Sequence, residues 1–136
     1  MKVTEIMSRP VFTASPSTPV KDAAGLLAER GVSALPVLDA KGALVGIVSE
    51  ADLEPVLTRR DPMSSLTVGE VMTRPVLTFS ANTEVSQAAR RLLEAGVKRM
   101  PVVRRRRVIG IVSSRDLMRV IASGMPDAPI ANQRRP

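Results

Sequence analysis

"GIVSEADL" occupies residues 46–53 and "GIVSSRDL" occupies residues 110–117, so a chain of 136 residues writes nearly the same passage twice. Ser and Asp stand three apart both times. Upstream, the match continues. Residues 6–38, "IMSRPVFTASPSTPVKDAAGLLAERGVSALPVL", lie over residues 71–103, "VMTRPVLTFSANTEVSQAARRLLEAGVKRMPVV", with 16 of 33 positions identical. The offset is 65 there and 64 across 44–53 and 108–117, where 6 of 10 positions agree, because the second copy lacks one residue of the intervening turn. Two aliphatic segments matched by chance would not keep Gly, Pro, Ser and Asp in step. An internal duplication therefore decides the architecture.

Each copy predicts the same elements. A short segment, Thr4–Met7 or Thr67–Met72, runs into Arg9-Pro10 or Arg74-Pro75. Pro fixes φ and disfavours helix in the residue before it, so "VFT" and "VLTF" read as short strands. Thr18 and Thr83 suit helix N-caps, and Pro19 suits the first helical position. Val20, Ala23, Ala24 and Leu27 keep helical spacing, as do Val85, Ala88, Ala89 and Leu92. Gly31 and Gly96 are placed to end these helices in the left-handed conformation. A hairpin follows, "ALPVL" through "DAKG" to "LVGIV", and "MPVV" through "RRRR" to "VIGIV". The last strands are apolar almost throughout, which predicts cover on both faces. The final helices start at Ser49 and Ser113.

The expected fold is thus α/β (α+β), two β-α-β-β-α repeats. The first covers residues 1–57, a polar linker 58–65, the second repeat 66–123, and a loose Pro-rich tail 124–136. About 50 residues bury a sheet poorly on their own. Two copies packed sheet to sheet about a pseudo-twofold axis would share a core and form two related clefts.

Composition narrows the classes. The sequence holds 2 Phe, 7 Met, no Trp, no Tyr, no Cys and no His. Aliphatic residues must supply the core, with Met filling irregular gaps. Without His or Cys, the commonest metal ligands and the commonest general base are missing. No nucleophile–base pair or close pair of acids is evident, so an enzyme is not expected. Met7 and Met72 read as core plugs rather than metal ligands. No apolar run reaches membrane-spanning length, and "MKVTEIMSRP" lacks a secretory pattern, which predicts a cytoplasmic protein and no membrane partner.

The formal net charge is +7, unevenly spread. Residues 1–65 carry 7 basic and 8 acidic side chains, and residues 66–136 carry 13 and 5. An anionic partner suits the second half. Arg104–Arg107 sit at an expected hairpin tip without aromatics for base stacking, so they read as a solvated turn before a nucleic-acid patch.

Ser49-x-x-Asp52 and Ser113-x-x-Asp116 have two compatible readings. One is a capping box, in which the acid three residues on reaches back to the N-cap N–H. The other is a ligand site. A helix start offers free N–H groups to phosphate, Ser can donate to it, and an acid can accept from ribose hydroxyls. Gly46 and Gly110 recur three residues before each Ser, which favours the second.

The motifs "IMSRPV" and "VMTRPV", "GVSALPV" and "GVKRMPV", "GIVSEADL" and "GIVSSRDL" resemble those of a tandem CBS-domain pair, or Bateman module. The likeness runs from about residue 3 to 121. It implies a regulatory sensor that binds AMP, ADP, ATP or S-adenosylmethionine in composite clefts, with no cofactor required for chemistry. It implies a homodimer as well. Carried over, one cleft combines Ser49 and Asp52 with Thr73, Pro75, Leu77, Val97, Lys98, Arg99 and Pro101. The other combines Ser113, Arg115 and Asp116 with Ser8, Pro10, Phe12, Val32, Ser33, Ala34 and Pro36. The copies differ in charge. Lys98-Arg99 replaces Ser33-Ala34, and Arg115 replaces Ala51. Lys98 and Arg99 suit phosphate, which predicts tighter binding of a phosphorylated ligand in the first cleft, with a solvated strand edge as the alternative role. Two alternatives to sensing are a dimerisation scaffold with empty clefts and a nucleic-acid binder. No further domain is evident, so the output would pass through another protein, or the chain is part of a longer one.

Overall fold

The computed structural model describes residues 1–59 and 65–124, so most of the expected linker and nearly all of the tail lie outside the described residues. The described chain forms two compact units. One comprises Pro10–Leu77 with Arg105–Val108, and the other Met1–Arg9, Thr78–Arg104 and the chain from Ile109 onward.

The first unit is built on the hairpin of β1 (Ala34–Leu38) and β2 (Leu44–Ser49), preceded by α1 (Val20–Arg30). Pairing is antiparallel, with Ala34 opposite Ser49 and Val37 opposite Gly46. The register then slips, so that Leu38 faces Leu44. Val45 is passed over in the pairing, a break in the ladder next to the turn. Asp39 closes the turn, its Oδ1 accepting from the backbone N–H of Lys41 and of Ala43, both at 2.9 Å. Leu35, Val37, Val48, Val68, Ala23 and Leu27 form the core. The short α2 (Glu50–Leu53) gives way to a 3₁₀ turn over Glu54–Thr58, where Pro55 has no N–H to continue the helix. α3 (Val68–Val71) follows.

The second unit carries β3 (Phe79–Ser80), α4 (Val85–Ala95), β4 (Arg99–Arg104), β5 (Arg107–Ser113) from Ile109 onward and α5 (Ser114–Ala122), with sheet order β3-β4-β5. β3 runs parallel to β4, Phe79 opposite Val102. Phe79 is wholly buried with Val3, Met100, Val102 and Val112. Removing an aromatic ring of that size from water contributes about 2–3 kcal/mol. With no proline in its sequence, α5 runs nine residues where α2 manages four.

Three sequence expectations differ in detail. The opening strand of the first copy shrinks to one bridge, Ala14 beside Val37. The helices begin one residue later than expected, with Pro19 and Glu84 as N-caps. Thr18 instead accepts from the Ser15 N–H at 2.9 Å and so shapes the preceding turn. The last strands are fully buried only at alternate residues, Gly46 and Val48, Gly110 and Val112. Helix C-caps stand as expected, Gly31 at φ 64° and Gly96 at φ 67°.

The units do not coincide with the repeats. The segment that opens the first copy is stitched into the sheet of the second, where Ser8 and Ile111 exchange backbone hydrogen bonds at 2.8 and 3.2 Å. The segment that opens the second copy joins the first hairpin, where Ile47 and Thr73 exchange bonds at 3.0 and 2.8 Å.

Candidate functional site

Each helix start after a hairpin is assembled from the same parts. β2 ends in Ser49, which is extended at φ −124° and caps α2. The Asp52 Oδ2 accepts from the Ser49 backbone N–H at 2.8 Å and from its hydroxyl at 3.1 Å. The other oxygen, Oδ1, accepts from the Thr73 hydroxyl at 2.8 Å. In the second unit Asp116 Oδ2 accepts from the Ser113 N–H and hydroxyl at 2.8 and 3.0 Å, and Oδ1 from the Ser8 hydroxyl at 3.0 Å. The capping reading is therefore realised twice. A Thr or Ser two residues before the next Pro adds a latch in each copy.

What carries the latch into place is a methionine. Met72 and Met7 immediately precede Thr73 and Ser8, and each lies across a hairpin glycine. A Cβ at Gly46 would stand 2.5 Å from the Met72 sulfur and 3.2 Å from the Thr73 carbonyl oxygen, and one at Gly110 would run into Met7 still more closely. The recurrence of Gly with Ser and Asp thus has a packing cause: a backbone with no side chain lets the crossing segment come down onto the strand. Met7 and Met72 are plugs, as their sequence context suggested.

The two carboxylates are not equivalent. Asp52 is half-buried, whereas Asp116 is 2% exposed. Asp116 Oδ1 also receives the Arg119 Nη1 at 2.6 Å. The equivalent position of the first copy is Pro55. Arg119 was not among the sequence candidates, although its i, i+3 spacing from an acid on a helix start was visible.

The remaining candidates divide between the units. Ser49, Asp52, Thr73, Pro75, Leu77, Pro10, Phe12, Val32, Ser33, Ala34 and Pro36 belong to the first, and Ser113, Arg115, Asp116, Ser8, Val97, Lys98, Arg99 and Pro101 to the second. Hairpin pairing sets each "GVxxxP" segment beside the Ser-x-x-Asp of its own copy. The Glu50 N–H donates to the Ser33 carbonyl at 3.1 Å, and the Ser114 N–H to the Lys98 carbonyl at 2.8 Å. The Lys98 backbone therefore lies beside the start of α5, the helix that carries Arg115. The Arg99 Nε is buried without a hydrogen-bond partner. Ala34, Pro36 and Pro101 are buried, and Pro10, Thr73, Pro75 and Leu77 are exposed. Phe12 packs on the core of its unit with the Arg30 guanidinium 5.0 Å from its ring centre. Arg9 and Arg74 are exposed. Among the described residues, no group of three His, Cys, Asp or Glu side chains is placed to hold a metal, and no helix is long and apolar enough to cross a membrane.

A sequence model of the CBS domain matches residues 3–61 and again 68–123. The chain belongs to the CBS domain family. Among solved structures, a CBS domain pair in complex with 5′-methylthioadenosine and S-adenosyl-L-methionine is 32% identical, with a TM-score of 0.83 over 91% of this chain and 98% of that one. The CBS protein CBSX2 in complex with AMP is likewise 32% identical, with a TM-score of 0.76 over 91% of this chain and 98% of its own. Among curated relatives, L-aspartate semialdehyde sulfurtransferase of Methanocaldococcus jannaschii is 34% identical over 87% of this chain. The CBS chain spans 23% of that enzyme's length.

Proposed function

We propose that the chain is a non-catalytic regulatory module that senses an adenosine-containing ligand. Candidates are AMP, ADP, ATP and S-adenosylmethionine. The observation that carries this reading is the helix start built twice from Ser, Asp and a latching hydroxyl, in a chain 32% identical to pairs solved with AMP and with S-adenosyl-L-methionine. In this reading the carboxylates receive ribose hydroxyls, which replace the Thr73 and Ser8 hydroxyls, and the helix-start N–H groups receive phosphate. Lys98, Arg99 and Arg115 add positive charge to the second unit. Ligand binding favours one conformer over another, and a protein partner reads the difference.

Self-association accompanies this role. Helices α4 and α5 leave Leu93 82%, Met118 55% and Ile121 56% exposed, which is costly for a lone protomer and suits a homodimer. A thermal-shift panel with AMP, ADP, ATP, S-adenosylmethionine and a short oligonucleotide tests the reading. A midpoint raised by an adenosine compound supports it, because only binding to the native state stabilises. A response to the oligonucleotide alone, lost as salt rises, would replace it with nucleic-acid binding. No response to any of them would leave a scaffold.

A further inference from the structure

We infer that Arg119 is a built-in competitor for Asp116 and makes the second Ser-x-x-Asp site weaker for ribose than the first. The inference rests on the sensing role proposed above. At the first site, among the described residues, Asp52 Oδ1 accepts only from the Thr73 hydroxyl. At the second, Asp116 Oδ1 holds both the Ser8 hydroxyl and the Arg119 guanidinium, at 3.0 and 2.6 Å, and the residue is 2% exposed. A ribose hydroxyl approaching Asp116 must displace a cation as well as the Ser8 hydroxyl. At Asp52, among the described residues, it meets only the Thr73 hydroxyl and no ion pair.

The contact is nevertheless a displaceable one. The Arg119 side chain is 66% exposed, so water and salt screen its attraction to Asp116. Arg119 and Asp116 also line a cavity of about 290 Å³ whose wall includes Glu5. The guanidinium has room to swing there, toward a second carboxylate. Arg119 thus acts through Asp116 and sets the affinity of the site without itself being the acceptor of the ribose.

Adenosine is the informative probe, since it has the ribose and no phosphate for a cation to attract. Calorimetric titration of the whole chain compares the wild type with Asp52→Asn, Arg119→Ala, and the two together. The wild type is expected to show one strong site, abolished in D52N. The double variant is expected to regain adenosine binding at the second site, about tenfold or more tighter than D52N alone. Arg119→Lys, which keeps the charge, should restore much of the wild-type weakness. In D52N, second-site affinity for adenosine should rise with salt as the ion pair is screened, and R119A should remove that dependence. Should R119A fail to fold, Arg119→Gln carries the same expectation.

Equal adenosine affinity in D52N with and without the Arg119 change, in a chain whose wild type binds, would overturn the competitor. So would a loss of AMP binding on R119A with adenosine unchanged, which would make Arg119 a phosphate contact. Absence of adenosine and AMP binding in every form would overturn the sensing role together with it.

Discussion

The Met72 thioether lies against Gly46, so close that a single added methyl would stand 2.5 Å from the sulfur. The same relationship holds between Met7 and Gly110. Gly46→Ala or Gly110→Ala is expected to cost about 1–3 kcal/mol, the usual penalty of overpacking. Pairing Gly110→Ala with Met7→Ala should recover part of that loss, since the two changes share one space. Urea denaturation of the singles and the double measures the coupling.

The latching hydroxyls are the next test. Thr73→Val removes a donor to a half-buried carboxylate and is expected to cost about 1 kcal/mol. Asp116→Ala is expected to cost about 3 kcal/mol. It strips the cap of α5 and leaves the half-buried Ser113 N–H and hydroxyl, and the exposed Ser8 hydroxyl, without their acceptor. A ranking of T73V as the more damaging change, by denaturant midpoints, would contradict this account.

Hairpin topology alone places residue 34 opposite residue 49, so the neighbourhood of Ser33 with Glu50 and of Lys98 with Ser114 was legible in the sequence. The resemblance assigns those residues to composite clefts, a grouping that local pairing within a hairpin does not address. Helix spacing, the Gly31 and Gly96 stops and the Ser-x-x-Asp caps were legible because they are local. The placement of residues 1–9 was not. Its pairing with Ile111 joins segments about a hundred positions apart, and no periodicity encodes such a partner. Pro19 was read as the first helical residue and proves to be the cap, because Thr18 turns its hydroxyl back to Ser15.

The β4–β5 turn carries Arg105 at φ 51° and Arg106 at φ 68°, in the left-handed region that arginine adopts at a cost of about 1–2 kcal/mol per residue. Arg105→Asn with Arg106→Gly supplies residues suited to that turn. The double change is expected to stabilise the chain by about 1 kcal/mol or more, read as a raised thermal midpoint.

Glu84 gives a pH-dependent test. Its carboxyl is held below the ordinary value of 4.5, chiefly by the Lys2 ammonium at 2.6 Å and then by the terminal amine at 3.3 Å, with burial opposing. The unfolded chain therefore binds this proton more readily than the folded one. The contribution to stability is present in full above pH 4.5 and is lost as pH falls through the lowered value. Glu84→Gln should lower the thermal midpoint at neutral pH, and the gap to wild type should close on acidification and shrink in high salt. A gap that is constant with pH would refute the pairing.

The crossing of the opening segments has a consequence for how such a chain can be divided. Residues 66–124 by themselves hold Gly110 but not Met7, and their Ile111 has lost its backbone partner. A lone repeat is an unfinished object, and it can be completed only by borrowing the opening segment of a neighbour. A synthetic peptide of residues 1–9, added to residues 66–124, should therefore raise their thermal midpoint, and the same peptide with Met7→Ala should not. By this logic, a single-repeat molecule would need a second copy of itself to close its own sheet, and fusion of the two copies makes that borrowing internal.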